Sequence, residues 1–270
     1  MLLREYLLLC FVAALGGAVN SVAGGGTLLT FPALLALLTA REGSSATASV
    51  LANGTSTVAL FPGAVAAAWG YRRELEGARQ WLKLLVGPSL AGGLLGSWLV
   101  TALPAEWFLA LVPWLILTAA LLFALQSSIS RWAGVGQPHA APQSSTVTAV
   151  VLFQFVVGVY GGYFGAGIGI LMLSALAIIG LSDIHVMNGL KSVLNSCING
   201  VAVVVFIVQR QVDWPLATIM AIAAIVGGLA GALVARKMNR TLVRGIVVAI
   251  GFSLAAYYFY RQWVEPASKG

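Results

Sequence analysis

The chain has 270 residues, 60% of them hydrophobic and only 9% charged, with a mean hydropathy of +0.94. Soluble domains carry roughly a quarter charged residues, so this composition excludes one and leaves room for several bilayer crossings and little else. The net charge of +7 does not imply nucleic acid, because Lys and Arg gather at the ends of apolar runs, as membrane orientation requires.

In chain order, apolar stretches fall near 6–22, 26–40, 46–69, 82–101 and 107–125, then near 147–163, 167–181, 186–208, 214–235 and 242–260. The first, MLLREYLLLCFVAALGGAVNSVAGG, has the layout of a signal peptide, but it has a counterpart later in the chain and is read as a retained segment. Between the two sets of five lies QSSISRWAGVGQPHAAPQSST, residues 126–146, polar and rich in Pro, Gly and Ser as a linker should be. The chain therefore divides into an N-terminal repeat (1–125), a linker (126–146) and a C-terminal repeat (147–270).

The halves correspond in detail. AGGGTLLTFPALLAL at 23–37 matches AGIGILMLSALAIIG at 166–180, NGTS at 53–56 falls opposite VLNS at 193–196, and GGLLG at 92–96 opposite GGLAG at 227–231. Charge then sets relative orientation. The connection around 70–83 carries Arg72, Arg73, Arg79 and Lys83, and the next, around 101–106, carries no Lys or Arg; in the second half the order reverses, with Arg210 alone and then Arg236, Lys237, Arg240 and Arg244. Cytoplasmic loops accumulate Lys and Arg, so the halves are expected to be inserted upside down relative to each other. The expected fold is an all-α integral membrane protein of two inverted-topology repeats, each a Gly-broken helix pair or hairpin followed by three transmembrane helices. Both termini are then periplasmic and the linker cytoplasmic. Of the 15 Lys and Arg, nine lie inside, five outside, and Lys191 in the membrane.

Two constellations could bind a substrate. Asn20, Ser21, Gly24, Gly25, Gly26 and Thr27 precede the run ending TFP, with Gly165, Gly167 and Gly169 as their counterpart. Unwound backbone survives in a membrane only when buried in protein or lining a cavity, and a helix restarting after it offers free N–H groups and a positive dipole end to an anion. Glycine pairs such as Gly92 with Gly93 and Gly227 with Gly228 are read only as helix-packing residues. The second constellation joins Asn53, Thr55 and Ser56 to Lys191, Ser192, Asn195, Ser196 and Asn199, with Lys191 and Asn195 four apart on one helix face. A cation in hydrocarbon costs a few kcal/mol, about 2.5–3.5 on insertion scales, so Lys191 marks a functional site by default. Hydroxyl and amide donors around an ammonium suit a small tetrahedral or pyramidal oxyanion. The alternative is interhelical polar contact with the lysine snorkelling to an interface.

Asp183 and His185 could relay a proton, but a helix N-cap is the commoner use of such a pair and is preferred. Cys10 and Cys197 give neither a disulfide framework nor metal-ligand spacing. The tryptophans near helix ends, including Trp69, Trp81, Trp107, Trp132, Trp214 and Trp263, form an interfacial belt. No metal or other cofactor is expected. With two histidines and almost no membrane acids, catalysis is a weak rival.

AGGGTLLTFPALLAL and GGYFGAGIGILMLSAL, with NGTS and KSVLNS in the segments that follow, resemble the sulfite exporter TauE/SafE family, the domain-of-unknown-function 81 permeases, over about residues 6–260. The resemblance implies transport of small sulfur-containing anions such as sulfite, thiosulfate, sulfoacetate or other organosulfonates across the bacterial inner membrane. It carries substrate binding onto Gly24, Gly25, Gly26, Thr27, Asn53, Thr55, Ser56, Gly165, Gly167, Gly169, Lys191, Ser192, Asn195 and Ser196. Family members are usually described with seven or eight helices, whereas the charge pattern here asks for an odd number of net crossings per half. The expected function is therefore a secondary transporter working by alternating access, in the direction of export, with an anion channel or a substrate-free membrane scaffold as rivals. The expected partners are the substrate anion and the lipid bilayer, with no nucleic acid; a homodimer is left open.

Overall fold

The computed structural model describes residues 3–23, 25–136, 144–234 and 240–264. Among them are ten α-helices and no strand, one helix for each apolar stretch: α1 (Leu3–Ala23), α2 (Thr27–Glu42), α3 (Ser45–Gly70), α4 (Arg79–Ala102), α5 (Ala105–Trp132), α6 (Ser144–Tyr163), α7 (Ile168–Ile178), α8 (Ile184–Val208), α9 (Trp214–Val234) and α10 (Arg240–Val264). Gly24, residues 137–143 of the expected linker, Arg236, Lys237 and Lys269 lie outside the described residues.

Six helices (α1, α3, α4, α5, α6 and α8) are long and apolar enough to cross a membrane. Their outward faces carry exposed Leu7, Phe11, Trp98, Trp114, Leu152 and Val204, an arrangement stable in lipid and untenable in water. The chain is a multi-pass all-α membrane protein. By contrast α2 has 16 residues and α7 has 11; at 1.5 Å per residue, α7 reaches about 16 Å, half of a bilayer core of about 30 Å.

The short helices make the first two segments of the N-terminal half a hairpin. Glu5 and Tyr6 near the start of α1 share a cavity of about 700 Å³ with Arg41 at the end of α2, while Gly16 meets Gly26 and Thr30 further along. The two helices are thus antiparallel, open at the same end, and α2 restarts after Gly25 and Gly26. A salt bridge from Arg41 Nη1 to Asp213 Oδ2, 2.7 Å, ties the open end of this hairpin to the start of α9.

Helix runs into both ends of the expected 126–146 linker: α5 continues through Trp132 and α6 begins at Ser144. The residues SSISRW contain no helix breaker; the helix stops only where Gly134 turns left-handed (φ 68°) and Val135 N–H donates back to Ser130 O. The end of α7 is moved earlier by the same device: Gly180 is left-handed (φ 92°) and Leu181 N–H donates to Leu176 O, closing the helix at Ile178 rather than 181.

Packing is arranged in matched pairs. The two most extensive contacts are α1 with α9 and α4 with α6; α3 packs on α9 as α4 does on α8, and α3 with α8 and α5 with α10 pair directly. Within these six contacts, exchanging each helix for the one five places away returns the same set, although α3 with α5 has no comparable counterpart in α8 with α10 among the described residues. The glycine pairs set the distances in these contacts. A side chain at Gly92 or Gly96 would overlap the α6 backbone at Phe155 and Val159, and one at Gly17 or Gly227 would overlap the α1–α9 contact at Ala224 and Ala14, as close small-residue packing requires.

At the centre, α3 and α8 run antiparallel. Gly54 lies against Phe206 and Gln211, Phe61 against Gly200, and Ala64 O accepts from Ser196 Oγ at 2.9 Å. This register fixes the depth of every polar residue on the two helices.

Candidate functional site: two glycine breaks around Phe123

The first break joins α1 to α2 through Gly25 and Gly26. A Cβ at Gly25 would overlap the Phe123 ring, and one at Gly26 would press on Gly16 O, so close approach rather than unusual backbone demands glycine here; Gly26 itself is right-handed. No side chain caps α2. Leu28, Leu29 and Thr30 amides turn back to Gly25 and Gly26 carbonyls. The hydroxyl of Thr30 lies 3.2 Å from Gly26 O and 2.6 Å from Ser56 Oγ, which fastens the restarted helix to α3.

In the second break the backbone conformation itself needs glycine. Gly165 and Gly167 are both left-handed, φ 82°. Phe164 and Gly165 amides both donate to Tyr160 O, and Tyr160 donates its phenol proton to Ala166 O at 2.9 Å. Here too no side chain caps the restarted helix, α7, which begins after Gly167. Gly169 is buried in its first turn.

The breaks meet at one aromatic ring. Phe123 of α5 lies against Gly25 and, with Leu122, against Gly167, its Cε2 being near both. Phe31, Phe108, Tyr163 and Phe164 wall the junction in edge-to-face contacts, Phe31 to Phe164 at 5.3 Å and Phe108 to Tyr163 at 5.4 Å between ring centres. Helix α3 touches both breaks: Ser56 holds Thr30, and Asn53 Nδ2 donates to Tyr163 O, the end of α6, at 3.0 Å. Asn53 is 1% exposed, and its Oδ1 has no hydrogen-bond partner.

The second constellation expected from the sequence divides in two. The α3–α8 register places Lys191 opposite the end of α3, beyond Ser196 and Ala64 and next to Gly189, which packs on Tyr71 and Leu75. With about 1.5 Å per residue, Lys191 stands about 20 Å along the helix pair from Asn53, Thr55 and Ser56. Its ammonium donates to Asn188 Oδ1 at 3.0 Å, pointing toward the start of α8 and away from the breaks. Asn188 donates to Ile184 O, Asn199 to Asn195, and Ser196 is shared between Ser192 O and Ala64 O. Ser192 is buried; Asn195 and Ser196 are half-buried.

The remaining expected residues have plain placements. Thr55 does not face a break: it is fully buried and accepts from Asp213 N–H at 3.0 Å. Asn20 and Thr27 are half-buried, and Asn20 touches Gly26. Asp183 caps α8, accepting from His185 and Val186 amides at 2.8 and 3.4 Å, while His185 is exposed. Among the described residues no cluster of three His, Cys, Asp or Glu could hold a metal ion.

Sequence reasoning missed Thr30, Tyr160, Asn188 and Phe123. Thr30 left a trace, a hydroxyl one turn after Thr27 in an otherwise apolar run; Phe123 left none, being one aromatic among many apolar residues of α5.

Relatives share this chain almost end to end. A "Probable membrane transporter protein" of Haemophilus influenzae is 26% identical over 258 residues, covering 95% of this chain and 94% of its own. "Probable membrane transporter protein YfcA" of Escherichia coli K12 is 26% identical over 254 residues, 93% and 88%. "Probable membrane transporter protein ORF9" of a Sinorhizobium species is 28% identical over 250 residues, 91% and 89%. No solved structure matches. The family model described as Sulfite exporter TauE/SafE matches residues 9–258, and with ten apolar helices broken by glycine at two corresponding places, the chain belongs to that family of membrane transporters.

Proposed function

We propose that the chain is a secondary transporter that binds one small sulfur-containing anion, such as sulfite, thiosulfate, sulfoacetate or another organosulfonate, where the two breaks meet at Phe123. The supporting observation is the pair of uncapped helix starts, at Gly26 and Gly167, brought to one ring inside a membrane protein. The positive dipole ends of two helices offset negative charge without a buried cation. Ser56, Thr30 and Asn53 fix the breaks, and Gly25, Gly165 and Gly169 let backbone approach the guest; Gly24, also expected at the site, lies outside the described residues. Lys191, with Ser192, Asn195, Ser196 and Asn188, lines the approach from the end where the 71–78 connection lies.

Transport follows from two inverted halves rocking about the breaks. The reversed Lys and Arg bias and the exchange-symmetric packing support this reading. Export of an anion from the cytoplasm needs no other coupling, since one charge crossing the inside-negative potential yields about 2.3 kcal/mol per 100 mV. Asp183 stays a helix cap in this scheme. Phe123 between the breaks favours a carrier over an open channel.

Proteoliposome flux of sulfite, thiosulfate, sulfate, sulfoacetate and taurine tests the function. Saturable flux of at least one is expected; flux rising linearly with concentration would identify a channel, and no flux together with no anion-dependent thermal stabilisation would leave a scaffold. Cysteines placed at Arg79 and Arg240 should both label from the cytoplasm only, and labelling from opposite sides would end the inverted arrangement.

A further inference from the structure

Asn53 is oriented in a way that an anion alone does not explain. Its amide nitrogen is committed to Tyr163 O, which fixes the orientation of the side chain, because the flipped amide would set two carbonyl oxygens against each other. Its Oδ1 is therefore an acceptor, buried and without a donor. The only other buried side-chain atoms of this kind among the described residues are Thr39 Oγ1 and Glu74 Oε2. Thr39 lines a separate cavity near Glu106 and Tyr258, and Glu74 lies in the connection after α3; Asn53 alone touches a break. An unmade hydrogen bond at a buried carbonyl is costly, and the helix-dipole end that α6 presents at Tyr163 is negative, like Asn53 Oδ1 itself.

The junction is thus bipolar. Two helix starts without side-chain caps present positive dipole ends, while the end of α6 is negative and Asn53 Oδ1 is an acceptor. A fully deprotonated tetrahedral dianion would turn lone pairs toward Asn53. We propose that the ligand is a monoanion carrying its own N–H or O–H donor, which Asn53 Oδ1 receives, as in hydrogensulfite or a hydroxy- or aminosulfonate. This rests on the anion-site reading above and narrows it: Asn53 becomes a specificity-determining residue.

Two pairs of near-isosteric monoanions isolate the donor: sulfamate against methanesulfonate, and 2-hydroxyethanesulfonate against propane-1-sulfonate. Binding to the purified full chain is measured by calorimetric titration. The donor-bearing member of each pair should bind about tenfold more tightly, the equivalent of one good hydrogen bond. In Asn53→Leu the ratio within each pair should fall below about twofold, whatever loss is common to both members through the missing Tyr163 contact. Equal affinities in the unsubstituted protein would overturn the inference and assign Asn53 Oδ1 to a water, whether or not the leucine variant folds. If none of the four binds, the anion site itself falls with it; if methanesulfonate binds but sulfamate gains nothing, only the donor inference falls.

Discussion

The polar segments of α3 and α8 pack on each other, yet they are used in opposite ways. Asn53, Thr55 and Ser56 are fully buried, and each bonds to a different element: the end of α6, the start of α9 and α2. On α8, Asn188, Lys191 and Asn199 are half-buried and bond within their own helix. Only Ser196 reaches across, to Ala64 O. The α3 segment is a hub that fixes both breaks and the 209–213 connection; the α8 segment is a face whose polar groups bond mostly within their own helix. Packing makes the α3 segment a brace and leaves the α8 segment bonded largely within itself.

The sharpest way to break this comparison lies on α3 itself. At Gly54 an added methyl group would strike Gln211 O, and that backbone cannot retreat easily, since Arg210 already holds a left-handed conformation (φ 57°) and Asp213 is fixed by Thr55 and Arg41. Gly54→Ala should therefore cost about 3 kcal/mol, seen as a lower midpoint in denaturant unfolding in micelles. Gly63→Ala, on the same helix with open space around it, should instead be neutral or stabilise by up to about 1 kcal/mol. Equal effects would mean that Gly54 is not wedged against the 209–213 connection. Thr55→Val removes the acceptor for Asp213 N–H and should cost about 1 kcal/mol, typical of polar contacts between membrane helices. Ser196→Ala, whose hydroxyl has a second acceptor in its own helix, should cost less than Thr55→Val in the same assay; the reverse order would make α8 the brace.

Much of this architecture was legible in the sequence because hydropathy and breakers report directly on membrane helices. Each apolar stretch became one helix, and Gly165 and Gly167, with no alternative at φ 82°, broke α6 from α7 as expected. Helix ends were less legible: SSISRW is polar enough to read as linker, but polar residues at the interface remain helical until a glycine stops them. The site was legible in half. Glycines and lone hydroxyls stand out against apolar sequence, so Gly25, Gly26, Asn53 and Ser56 could be named. Their meeting at Phe123 could not, because an apolar ring in an apolar helix carries no pattern. The depth of Lys191 was equally hidden, since helix-face periodicity shows which side a residue takes and says nothing about its level relative to another helix.

That depth sets the smallest expected effect on binding and the clearest test of the lining role. At about 20 Å and an effective dielectric of about 20, a lysine stabilises a monoanion by about 0.8 kcal/mol, roughly fourfold in affinity. Lys191→Met should therefore leave stability within about 0.5 kcal/mol, raise the sulfite dissociation constant by no more than about fourfold, and act mainly on flux by removing a positive step along the approach. Calorimetric titration and proteoliposome flux on the same preparation separate the two. A hundredfold loss of affinity would require the ammonium to swing from Asn188 to the breaks in the bound state, uniting the two polar segments around one guest. Unchanged flux would leave Lys191 with no part in transport and α8 as a packing surface, while the breaks, held by α3 alone, would keep their claim as the site.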